Sequence, residues 1–112
     1  MCFYPYCILL YIEIAVSYMQ ITSNLSTDGL NRVIAVECTA LGWPLPALSW
    51  WIGKEILTNQ DHIDIIQSNQ LPYQAKLTLL FNPFSSKNNG SYRCYGINPV
   101  SSMGISEEVN LG

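Results

Sequence analysis

A chain of 112 residues has room for one domain. Its residues are 49% hydrophobic and only 12% charged, which excludes a disordered segment and suits a core buried between two layers. The net charge of −3 supplies no basic patch, so nucleic acid is not an expected partner.

Residues 1–19 are strongly apolar and are set apart from a domain over 20–112. An apolar stretch over residues 6–12 precedes the small-x-small triplet Ala15-Val16-Ser17, the layout of a secretory signal peptide. Against that layout, no Lys or Arg stands near the start, and Glu13 interrupts the apolar run. The stretch is short for a membrane span, and Glu13 would be expensive in lipid. Three readings stay open: a signal peptide, a membrane anchor, or the start of a truncated or misread chain. Cys2 and Cys7 share that fate, either removed with a leader or retained and free to pair.

The next segment alternates as a strand does. Ile34, Val36, Cys38 and Ala40 share one side, and Ala35, Glu37 and Thr39 share the other, so the one charge falls opposite the apolar set. Trp43 then stands in a loop before Pro44 and Pro46, where it packs on a proline or makes a loop-tip contact. Leu48, Trp50 and Ile52 follow on one face of a strand, with Ser49 and Trp51 on the other, and Gly53-Lys54 turns the chain. In Asp61-His62-x-Asp64, His62 and Asp64 would share a strand face. A polar edge strand is the expectation there rather than a metal cluster, since a structural zinc site wants four Cys or His ligands. Leu77, Leu79 and Phe81 fall on one side of the run over 76–81, which Pro83 ends; Phe84 is expected to plug the bottom of the core. Near the end, Tyr92, Cys94 and Gly96 share one face, and Arg93, Tyr95 and Ile97 the other. The last strand, 105–111, puts Ile105, Val109 and Leu111 inward, with Glu107 a misfit expected near an end or an edge.

Several of these features recur together in one family. Trp50 follows Cys38 by twelve positions, and Tyr92 precedes Cys94 by two. The approach Gly42-x-Pro44-x-Pro46, the pair Leu79-x-Phe81 and the run Gly90-x-Tyr92-x-Cys94 complete the pattern. Over about residues 29–111 the chain resembles the immunoglobulin superfamily, and its intermediate (I) set most closely. The resemblance implies an all-β, two-sheet immunoglobulin-like sandwich of seven or eight strands. It also implies one disulfide between the sheets, Cys38 to Cys94, with Trp50 against it, Tyr92 in a tyrosine corner, and Leu79 and Phe81 in the core. Two departures stand out: Asn88 replaces a frequent Asp, keeping hydrogen bonding but not an ion pair, and the hairpin over 98–104 is longer than usual. Closing about 57 residues with such a bridge would stabilise the fold by roughly 4 kcal/mol. Bridges of this kind persist outside the cell. The sequons Asn24-Leu25-Ser26 and Asn89-Gly90-Ser91 agree with that compartment and make Asn24 and Asn89 candidate N-glycosylation sites.

Catalysis has no support in the sequence. His62 is the only histidine, so no nucleophile, base and orienting group assemble around it. No enzyme activity, cofactor, metal or small-molecule substrate is expected. Trp51, Arg93 and Tyr95 point outward from strands of one sheet and are residue types that dominate binding energy at interfaces; alternatively, the two aromatics cover the sheet by pairing across strands. The expected function is extracellular protein recognition or cell adhesion, as a module of a secreted, matrix or cell-surface protein whose partners include other immunoglobulin domains. Two alternatives carry the same fold: a structural module of an intracellular muscle or cytoskeletal protein, and the ligand-binding domain of a growth-factor or cytokine receptor.

Overall fold

The computed structural model describes residues 13–112. Its strands are β1 (Ile14–Asp28), β2 (Asn31–Trp43), β3 (Ala47–Ile52), β4 (Glu55–Ile56), β5 (Ile63–Leu71), β6 (Gln74–Phe81), β7 (Gly90–Ile97) and β8 (Ile105–Leu111), with a short 3-10 turn at Ser86–Asn88. They form two four-stranded antiparallel sheets, ordered β1-β2-β6-β5 and β4-β3-β7-β8. The fold is the two-sheet sandwich implied by the resemblance, with Cys38 and Cys94 bridging the sheets at a Cα–Cα separation of 6.4 Å.

Alternation explains the core. On β2, Ile34, Val36, Cys38 and Ala40 are buried, and they lie opposite Phe81, Leu79, Leu77 and Ala75 of β6, which are buried too. The facing sheet contributes Trp50 directly opposite Cys94, with Tyr92 two residues along β7. Trp50 is fully buried, and its indole N–H crosses between the sheets to donate to the Leu77 carbonyl at 3.0 Å. A buried indole without that acceptor would carry a desolvation cost, so one bond both satisfies the group and fixes the ring. At the lower end Phe81 meets the rings of Phe84 and Tyr92 edge to face, with centroids 5.2 and 5.4 Å away. Pro83 follows β6, and Phe84 is buried below it with its N–H donated to the Arg32 carbonyl at 2.7 Å.

Three placements differ from the sequence expectations. Ile52, read as inward, is 38% exposed because it lies at the end of β3, opposite Glu55 of the short β4 and past the last residue paired with β7. Trp43 is half-buried at the end of β2, opposite Ile14, and not at a loop tip. The third concerns the N-terminal segment: Ile14 to Met19 belong to β1, which pairs with β2 as a long hairpin turned at Gly29 with φ +66°. Glycine takes that left-handed state without a Cβ clash. The triplet Ala15-Val16-Ser17 thus lies within β1, where Val16 is buried and its N–H donates to the Ser101 hydroxyl at 3.2 Å. Cys2, Cys7 and the apolar stretch over 6–12 lie outside the described residues. Glu107 is exposed on β8, an edge strand.

Candidate protein-binding face

Residues on the outer side of β4-β3-β7-β8 line up across all four strands. Ile56 stands opposite Trp51, Trp51 opposite Arg93, and Arg93 opposite Glu108. The row therefore runs aliphatic, aromatic, cation, anion. Ile56 is 53% exposed, and the Arg93 and Glu108 side chains are 56% and 51% exposed. Arg93 Nη2 lies 3.3 Å from Glu108 Oε2. An ion pair this open contributes little stability, so it can be rearranged at small cost when another charge approaches. Trp51 is half-buried and donates its indole N–H to Ser49 Oγ at 2.7 Å. That bond satisfies its polar edge within the sheet, leaving an apolar ring with no unpaired donor.

Tyr95 occupies the next row, opposite Ser49 and Ser106. Trp51 and Tyr95 therefore do not face each other across strands; their opposites are Arg93 and Ser49. The Tyr95 ring instead lies over Gly104, where any Cβ would fall on the ring itself. Tyr95 is half-buried for that reason and serves partly to hold the β7–β8 hairpin.

A buried network at the upper end of the sandwich escaped the sequence reading. Asn98, only 5% exposed, donates from its amide to the carbonyls of Ile14 (2.7 Å) and Pro44 (3.0 Å). The Ser101 hydroxyl donates to Asn98 Oδ1 at 2.7 Å. One side chain thus ties together the start of β1, the β2–β3 loop and the β7–β8 loop. Gly42 makes room for it, since a Cβ there would come within 3.0 Å of the Asn98 amide nitrogen. An Asn before a proline reads as a turn, and nothing local marks it as buried.

The remaining candidate residues are dispersed. His62 lies in a turn before β5 with φ +66°, so it does not share a strand face with Asp64. Its ring Nδ1 is 3.2 Å from the Asn82 carbonyl. Among the described residues no three His, Cys, Asp or Glu side chains converge as a metal site would require. A recess of about 420 Å³ beside this turn is lined by Asp61 and Lys87, one charge of each sign, with Ser85 and Pro83. The Tyr92 hydroxyl donates to the Asn88 carbonyl at 2.6 Å, and Asn88 Oδ1 accepts the Ser85 N–H at 2.9 Å, so the amide at 88 closes the turn that the corner rests on. Burial pushes the Tyr92 phenol pKa above its ordinary value. Asn24 is exposed on the outer side of the other sheet, opposite Ala35, and Asn89 is exposed just before β7, against Gly112.

Comparison with known proteins settles the family. The immunoglobulin domain family model matches residues 34–106, which hold both bridged cysteines, Trp50 and Tyr92. The chain belongs to the immunoglobulin domain family. Families of this kind are generally non-enzymatic. No curated protein matches this immunoglobulin domain significantly. Among solved structures it is similar to a chain in the crystal structure of Dpr2 Ig1-Ig2 in complex with DIP-Theta Ig1-Ig3, with a TM-score of 0.66 and 16% identity. The match covers 81% of this chain but 31% of that one, and at this identity the likeness is one of fold.

Proposed function

We propose that this immunoglobulin domain is an extracellular recognition module that binds another protein through the outer side of β4-β3-β7-β8. The observation that carries the proposal is the exposed row Ile56, Trp51, Arg93 and Glu108, which combines an apolar centre with a weakly held ion pair. Trp and Arg are over-represented among residues whose truncation costs binding most, and the arginine's open pairing leaves it available to a partner carboxylate. The structural neighbour is an assembly of immunoglobulin domains of two proteins, which favours another immunoglobulin domain as the partner class here. The Cys38–Cys94 bridge agrees with an oxidising compartment. We assign the domain to the intermediate set. Constant-type sandwiches have no strand in the position of β4, variable-type ones add two there, and this one adds a single strand of two residues. Asn24 and Asn89 are its proposed glycosylation sites, and we include Val16, a core residue, in the domain.

The test is a binding screen of the multimerised chain against a panel of cell-surface immunoglobulin ectodomains, repeated with Trp51→Ala and Arg93→Glu. A partner bound by the parent chain and lost with both variants supports the proposal. Partners retained by both variants would refute it.

A further inference from the structure

The two sheets have four edges, and three of them are blunted against pairing with another chain. β4 is two residues long. β5 is covered at its centre, where the Ile65 N–H is taken by Asn59 Oδ1 at 2.6 Å, and its register shifts between Ser68 and Leu71. β8 carries an inward-parity charge, Glu107, followed by Glu108. Short strands, covered edges, bulges and inward charges are the devices by which natural sheets prevent edge-to-edge association. β1 has them only over its first residues, where Ser101 Oγ takes the Val16 N–H, Asn98 holds the Ile14 carbonyl and the register shifts before Tyr18; from Tyr18 to Thr27 it has none of them. It is the longest strand, and residues 14–27 contain no charge, no proline and no glycine, with one irregularity confined to its first turn of pairing.

β1 also leaves apolar surface unfinished. Leu25 pairs with buried Ile34 and so faces inward, yet it is 62% exposed because its free side has no neighbour among the described residues. The strand is complementary to itself in one antiparallel register. With Thr22 on a two-fold axis, Leu25 of one copy lies opposite Met19 of the other on the inward side, where Ile21 meets Ser23, and on the outward side Gln20 lies opposite Asn24 and Tyr18 opposite Ser26, so polar groups meet there. A two-fold interface of this sort must present the same patch from both copies, which this register does. Side chains stand perpendicular to a sheet, so a sugar on Asn24 would leave the plane in which the strands pair.

We propose that two copies of this chain associate through antiparallel pairing of their β1 edges about Thr22, joining two four-stranded sheets into one of eight. The surface is separate from the outer side of β4-β3-β7-β8, so recognition of a different protein and self-association do not compete.

Sedimentation velocity over a concentration series of the full chain tests this. The parent chain is expected to dimerise reversibly. Thr22→Lys sets two like charges opposite each other and should raise the dimer dissociation constant by roughly tenfold or more. It should do so with an unchanged melting temperature, since Thr22 is exposed. Register is tested by mild oxidation: Thr22→Cys should form an inter-chain disulfide on the axis, whereas Gln20→Cys, placed away from its own copy, should give no more than the parent chain. A parent chain that stays monomeric at all concentrations, a dimer that survives Thr22→Lys, or a dimer lost instead with Arg93→Glu would overturn the proposal.

Discussion

Trp50 and Trp51 are neighbours in sequence with opposite fates. Trp50 fills the space beside the bridge and satisfies the Leu77 carbonyl, so Trp50→Ala removes a core ring and a buried bond together. We expect a loss of ~3–5 kcal/mol in urea unfolding, enough to unfold much of the population. Trp51→Ala removes a half-buried ring bonded only to Ser49, and its melting temperature should stay close to the parent's. A large drop for Trp51→Ala with a stable Trp50→Ala would place the wrong indole in the core. Tyr92 adds a pH dependence. Its phenol titrates higher in the fold because burial disfavours the phenolate. Stability from this group is therefore full below about pH 10 and is lost as pH rises from there through the folded value. Tyr92→Phe should lower stability at neutral pH by ~1 kcal/mol, the worth of its bond to Asn88, and should flatten the alkaline decline. Urea midpoints taken along a pH series measure both.

Among the elements, β2, β6 and β7 were legible because each carries an apolar alternation of period two that the burial follows residue by residue. β1 was not, for two physical reasons. It is an edge strand in which Val16 alone is buried among the residues whose burial is described, so its Ser, Thr and Asn residues leave no alternating pattern. Its first residues also sit in an apolar N-terminal context that reads as a leader. His62 escaped for a local reason: alternation holds only while the backbone stays extended, and a positive φ one residue before β5 breaks it. Asn98 could not be read at all, because its partners lie 84 and 54 positions away. We expect Asn98→Ala to cost ~1–3 kcal/mol by leaving buried carbonyls unpaired. Hydrogen exchange should then accelerate together at Val16, in the β2–β3 loop and around Ser101. Acceleration confined to the β7–β8 loop would show that the three segments are not coupled through this side chain.

For the whole molecule, the sandwich gives each surface a distinct part. The inner faces hold the bridge and the aromatic cluster, the upper loops are tied by Asn98, and the outer side of β4-β3-β7-β8 offers Trp51 and Arg93 to solvent. The outward parity of Trp51, Arg93 and Tyr95 could be read from the chain, since it follows from the cysteine positions. The order in which they line up could not, because it depends on the pairing of β3 with β7 and on the residue that each strand places opposite. Tyr95 turned out to be anchored on Gly104, a contact between side chain and backbone that leaves no periodic trace. The most direct measurement is a hydrogen-exchange footprint of the domain with and without a partner recovered from the ectodomain screen. Protection should concentrate on β3, β7 and β8 around Trp51, Arg93 and Glu108. Protection centred on the loops over 44–46 and 98–104, with these strands unchanged, would contradict a binding face on this sheet.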